Sequence, residues 1–189
     1  IASGATHYGI NTGFGALKST RIPDADLDTL QRNLVLSHAV GVGEPVPRAI
    51  AALMLRLKIV ALGQGFSGVS VPVVQRLLDF EAADLVPLVP SRGSVGASGD
   101  LAPLAHLALP LLGEGAFLDP DGTARPAADV LRQHGWEPVR LRAKDGLALI
   151  NGTQLMAAYG AHILHRARSL VRLADVVAAM SLEALQGSA

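Results

Sequence analysis

Reactive potential is concentrated in one short stretch, Ser94-Val95-Gly96-Ala97-Ser98-Gly99-Asp100. If the backbone bends sharply at Ala97-Ser98-Gly99, the Gly99 nitrogen can attack the Ala97 carbonyl carbon and close a five-membered ring. Glycine permits the approach because it has no Cβ to clash, and Ala97 is small enough to allow it. Ser98 carries a β-hydroxyl that can leave as water, which makes an exocyclic methylene. The product is an electrophile, which unmodified side chains do not supply. The ordinary alternative is a glycine-rich loop with Asp100 as a helix N-cap. The tetrapeptide Ala-Ser-Gly-Asp taken alone favours that alternative.

Other sources of chemistry are sparse. Cysteine is absent, so there is no disulfide frame and no thiolate nucleophile or ligand. His162 and His165 stand three apart beside Arg166 and Arg168, with no HExxH or carboxylate partner. They read as a solvated helix face rather than a metal site. The glycine-rich HYGINTGFG has neither a GK[ST] ending nor a strand–GxGxxG–helix setting, so it is not a phosphate loop. No GxSxG elbow occurs.

The 16 basic residues balance the 16 acidic ones, giving a formal net charge of zero. A nucleic-acid binder or a polybasic membrane binder would carry a basic excess. Half of the 189 residues are apolar and 17% are charged, which excludes disorder and predicts one domain-sized core. Aromatics are only 4%, so that core has to be built from Ala, Leu and Val, as packed helices are. The start, IASGATHYGI, lacks a basic n-region, an apolar h-region and a Met. The expectation is a soluble, cytoplasmic protein represented by a fragment.

The elements that would carry these residues follow from periodicity and breakers. Residues 1–22 read as irregular. Asp24 or Asp26 could cap a helix with Leu27, Leu30, Leu34 and His38 on one face, ended by Gly41 and Gly43. Pro45 and Pro47 open a second helix striped by Ile50, Leu53, Leu57 and Val60, stopped at 63–65. Ser70-Val71-Pro72 starts a third, to about Leu85. The two Pro and three Gly of 86–99 bar a regular helix. Asp100 can cap a short helix kinked or ended at Pro110. Asp119-Pro120-Asp121-Gly122 signals a hairpin, a short helix follows it, and Glu137–Leu141 could be strand or linker. Asp145 could cap a short helix interrupted at Asn151-Gly152-Thr153. From Gln154 to about Gln186 nothing breaks a helix, making roughly 30 residues or about 45 Å. Its apolar face, with Leu155, Ile163, Leu170, Leu173 and Val177, needs partners. The expected fold is mainly α with a minor β-hairpin.

Four stretches in this order, HYGINTGFG, LQRNLVLSHAVGVG, GSVGASGDLAPLAHLALPLLGEG and GLALINGTQ, closely resemble the aromatic amino acid ammonia-lyase family. The resemblance runs from Tyr8 to the long helix. It implies that Ala97, Ser98 and Gly99 cyclise by themselves to 4-methylidene-imidazol-5-one (MIO), with no metal and no dissociable cofactor. It implies a mainly helical homotetramer with active sites shared between subunits. Residues 1–152 would then form the MIO-bearing catalytic domain, and 153–189 the start of a central helical bundle. By motif position, Tyr8 would be the catalytic tyrosine that handles the β-proton. Asn151 would hydrogen-bond in the MIO site and contact the substrate amino group or the ring carbonyl; helix capping is its ordinary role. Asp100 would assist ring formation.

His38 stands, in this resemblance, where the family meets the substrate side chain. Plant-type phenylalanine enzymes resemble Phe-Leu there and tyrosine-specific ones His-Leu, whereas Ser37-His38 is similar to the histidine-acting members. An imidazole can exchange a hydrogen bond with another imidazole, and a phenyl ring cannot answer it. The implied reaction is deamination of L-histidine to trans-urocanate and ammonia. The alternatives are a tyrosine or phenylalanine ammonia-lyase, an aminomutase of the same family, and a non-catalytic helical assembly module.

Overall fold

The computed structural model describes residues 5–13 and 19–187. The fold is mainly α. Helix α1 (Leu27–His38) follows a single 3-10 turn at Asp24–Asp26 and leads to strand β1 (Val42–Pro45). Helices α2 (Arg48–Gly63) and α3 (Val71–Ala82) come next, then β2 (Pro90–Arg92) and α4 (Leu101–Ala108). A 3-10 turn at Leu109–Leu112 precedes the hairpin β3 (Ala116–Leu118) and β4 (Ala124–Pro126). Helices α5 (Ala127–Gln133), α6 (Asp145–Ile150) and α7 (Gln154–Ala184) complete the chain.

Local chemistry explains most boundaries. Pro47 enters α2 with φ −51°, and Pro72 sits in the first turn of α3, where a missing N–H costs nothing. Pro110 marks the change from α to 3-10 geometry, and Gly113 closes that turn at φ +76°. The Asp119–Gly122 turn joins β3 to β4, with Phe117 opposite Arg125. The other strand pair is absent from the sequence expectations. β1 and β2 pair antiparallel, Val42 opposite Arg92 and Pro45 opposite Pro90. Glu137–Leu141 forms no strand.

The core gathers Leu34 and Val35 from α1, Met54 and Leu55 from α2, and Leu77 and Phe80 from α3 around the almost wholly buried α4. Phe80 meets Phe117 edge-on with centroids 5.0 Å apart, tying α3 to the hairpin. The buried face of α2 differs from the expected stripe. Val60 is exposed, and the inward positions are Ile50, Ala51, Met54, Leu55, Lys58 and Leu62.

Helix α7 is 31 residues long, but only Leu155 and Ala158 are buried. Its first turns pack on α2 and α4, and from Gly160 onward every described residue is exposed. Ile163, Leu170, Val171, Leu173 and Val177 lie bare along it. A helix with so much apolar surface in water gains stability only by covering it. Residues 1–189 expressed alone are therefore expected to self-associate, as read by light scattering. The double substitution Leu173→Asp, Val177→Asp should shift that material toward monomer.

Candidate active site

The backbone around Ala97-Ser98-Gly99 turns sharply. Bridges connect Gly96 with Gly99 and Ala97 with Gly99, so the chain doubles back within four residues. Gly96 and Gly99 have φ of +70° and +95°, values that favour glycine. Ala97 and Ser98 are exposed, whereas Gly99 is buried. A Cβ at Gly99 would run into the carbonyl oxygen of Gly152. That same oxygen accepts the Asp100 N–H at 2.7 Å. The turn is therefore seated on the break between α6 and α7.

Asp100 is 0% exposed and holds this seat from the other side. The Ser94 hydroxyl donates to Oδ1 at 2.8 Å, closing the loop that contains the turn. The Met156 N–H donates to Oδ2 at 3.0 Å. Met156 is the third residue of α7, so the carboxylate caps the long helix, where the helix dipole favours a negative charge. This corrects the sequence expectation. Asp100 stands at the N-cap position of α4, but its side chain makes no cap bond there. The intended acceptor is spent on a distant helix end, which local spacing does not encode.

Asn151 follows α6 in an extended conformation, with φ −90° and ψ 122°. Its residue is exposed, while its backbone is fully engaged. The N–H donates to Leu147 O at 3.1 Å, and the carbonyl accepts Lys58 Nζ at 2.9 Å. The side chain does not cap α7: the N-cap position is Thr153, and the capping oxygen is that of Asp100. Asp145, expected to cap α6, instead accepts from Ser70 N at 2.7 Å, Ser70 Oγ at 2.8 Å and Arg142 N at 2.8 Å. It fastens the entry of α3 to the entry of α6. Neither Asp24 nor Asp26 makes a side-chain cap on the first helix; Asp24 lies 3.8 Å from Arg21.

Lys58 is the anomaly of this region. It is 1% exposed, and burial lowers its pKa to about 8. Sequence reading passed over it, although a lysine four residues after Met54 and four before Leu62 is a charge set in an apolar stripe.

Tyr8 lies in a turn described as far as Gly13; Phe14 and Gly15 of the same motif fall outside the described residues. Asn11 shapes that turn, accepting from His7 N at 2.7 Å and donating to Ala5 O at 2.7 Å. Tyr8 is 58% exposed. The turn is joined to α6 by Gln31, also unforeseen. Gln31 Nε2 reaches Gly9 O at 3.5 Å, and its Oε1 accepts the Leu147 N–H at 3.3 Å. Gln31 is fully buried on α1, and a Cβ on Gly146 would collide with its backbone oxygen. Gln31 thus links the turn that bears Tyr8 to the helix that precedes Asn151.

His38 ends α1 and is half-buried rather than fully inside. Its Nδ1 sits 2.8 Å from Leu34 O. A carbonyl only accepts, so Nδ1 carries a proton, and whenever the ring is neutral Nε2 is the acceptor. The segment after it is held against α4 and against the loop that follows β2. Gly41 N–H donates to His106 Nε2 at 3.0 Å, and burial holds the His106 pKa below the usual histidine value, keeping that lone pair available. A Cβ on Gly93 would stand 3.0 Å from Gly41 Cα. His162 and His165 lie exposed on α7. Among the described residues no group of three or more His, Asp or Glu is placed to hold a metal, and no helix is long and apolar enough to cross a membrane.

The family model for aromatic amino acid lyases matches residues 1–189. The chain belongs to the aromatic amino acid lyase family. Among members of this family, the chain is 55% identical to a histidine ammonia-lyase of Anaeromyxobacter dehalogenans across its full length, covering 38% of that relative. The crystal structure of histidine ammonia-lyase from Trypanosoma cruzi superposes with a TM-score of 0.90 at 48% identity. That match covers 99% of this chain and 36% of the other. A tyrosine aminomutase from Streptomyces globisporus gives the same TM-score at 37% identity, over 97% of this chain and 34% of that one. The chain thus spans under two fifths of the length of the relatives it matches. The aromatic lyase fold is carried here by α1–α7 and two small strand pairs.

Asp100→Ala removes the buried acceptor of two donors, Ser94 Oγ and Met156 N–H. The expected loss is roughly 2–4 kcal/mol by denaturant unfolding. Asp100→Asn keeps the size and one acceptor and should lose less.

Proposed function

We propose that the full-length protein deaminates L-histidine without oxidation, giving trans-urocanate and ammonia. The reading rests on the seat of the Ala97-Ser98-Gly99 turn. The chain doubles back there, Gly99 occupies a position a side chain could not, and the Asn151-Gly152 break lies against it. These features fit the MIO ring that the family resemblance implies at Ala97, Ser98 and Gly99. That group would supply an electrophilic methylene.

The remaining work falls to the chain's own residues. Elimination breaks the Cα–N and Cβ–H bonds of the substrate, releases ammonia and leaves a trans double bond. Tyr8, acting as the phenolate, takes the β-proton on its oxygen and becomes the neutral phenol. Asn151, whose backbone is fixed on both sides, orients the substrate amino group with its carboxamide. Asp100 holds the turn in the conformation that lets the Gly99 nitrogen approach the Ala97 carbonyl, as its bonds to Ser94 and Met156 imply. His38 offers Nε2 as acceptor to an imidazole N–H, an interaction a phenyl ring does not repeat. No metal takes part. The proposed assembly is a homotetramer, with 1–152 as the ring-bearing domain and 153–189 opening the central bundle. The bare length of α7 supports it.

Two experiments test the reading. Full-length protein should convert L-histidine to urocanate, followed by the absorbance of the product, and lose two waters in intact mass. Ser98→Ala should abolish both, and borohydride should inactivate the parent. An active protein of unmodified mass would refute it. For the substrate, His38→Leu should lower kcat/KM for histidine about 10- to 150-fold, the effect of losing one hydrogen bond of about 1.5–3 kcal/mol. A parent that prefers tyrosine or phenylalanine, or returns the amine at the β-carbon, would favour the aminomutase-like relatives instead.

A further inference from the structure

Lys58 has no evident reason to be charged if it serves only the core. Its neighbours along the inner face of α2 are Ile50, Ala51, Met54, Leu55 and Leu62. Among the described residues it forms no ion pair. Its hydrogen bond goes to one neutral oxygen, the carbonyl of Asn151. An ammonium taken out of water for a neutral partner destabilises the fold relative to an apolar side chain of the same volume. A methionine would fill the site without that cost.

The backbone that Lys58 grips is the one that carries Asn151. Three successive peptide planes are fixed there. The first is held by Asn151 N–H on Leu147 O, the second by Lys58 on Asn151 O, and the third by Asp100 N–H on Gly152 O. Only the middle restraint comes from a side chain, and only that one can be removed without touching the reactive turn. A charged donor also makes a stronger, shorter hydrogen bond than a neutral one.

We propose that Lys58 is a positioning residue of the lyase site: its buried ammonium fixes the Asn151 peptide plane, and so the carboxamide that meets the substrate. The role rests on the function assigned to Asn151 above.

Lys58→Met, Lys58→Gln and Lys58→Arg in the full-length protein test it. Lys58→Met should lose about 10- to 100-fold in kcat for L-histidine, with a smaller change in KM, as expected for a misplaced orienting group. It should still lose two waters in intact mass, and it should melt at the same temperature or higher. Lys58→Arg, which returns a cation to the same oxygen, should recover most of the rate. Lys58→Gln keeps a neutral donor and should fall between them, which preserves the comparison if Lys58→Met fails to fold. Parental kcat in Lys58→Met or Lys58→Gln, from an active parent, overturns the role alone. Equal losses in the Arg and Met variants, or an uncyclised Lys58→Met, overturn it too. A parent with no lyase activity overturns both the role and the function beneath it.

Discussion

Everything near the reactive turn hangs on one buried carboxylate and the amide beside it. The Asp100 N–H holds the Gly152 carbonyl, while its side chain takes Ser94 on one oxygen and Met156 on the other. Three parts of the chain meet in that residue: the loop before the turn, the break after α6, and the first turn of α7. A carboxylate this deep is tolerable because each oxygen accepts a donor and a helix N-terminus faces it. Its cost in desolvation is offset by bonds that no local partner could replace.

Two other polar side chains share this logic. Gln31 and Lys58 stand on helix faces whose other buried residues are all apolar. Each spends its hydrogen bonds on backbone groups of a different element: Gln31 on Gly9 and Leu147, Lys58 on Asn151. Loops cannot be located by apolar packing with the accuracy chemistry needs, because dispersion contacts have no direction. Directional bonds from rigid helices supply it. Tyr8 and Asn151 both belong to irregular segments, and both are placed by side chains rooted in α1 and α2.

Periodicity and punctuation carried most of the fold. The spacing of Leu27, Leu34 and His38 delimited α1, the Asp119–Gly122 turn announced the hairpin, and the unbroken run after Thr153 announced α7. What escaped were nonlocal choices. Nothing in Val42–Pro45 or Pro90–Arg92 names the other as a strand partner, since both are short and rich in proline or glycine. Asp100, Asp145 and Asn151 each sit where a cap belongs, yet the first two spend their oxygens on other elements, and the third caps no helix with its side chain. A local rule recognises the residue type but not the competing partner brought in by the fold. Lys58 was missed for a related reason: a charge in a stripe is ordinarily taken to mark the solvent face. In the site, the resemblance supplied the roles, and the structure adds how the segments bearing them are joined.

The seat of Gly99 separates two pressures that act on adjacent residues. Position 99 is closed to any side chain by the Gly152 oxygen, whatever happens at the turn. Ala97 and Ser98 face outward and are held by no such wall. A descendant that abandoned the reaction would keep glycine at 99 for the sake of its shape, and would let the serine drift. In a set of related sequences, then, the glycine records ancestry and architecture, while the hydroxyl beside it records whether the chemistry is still in use.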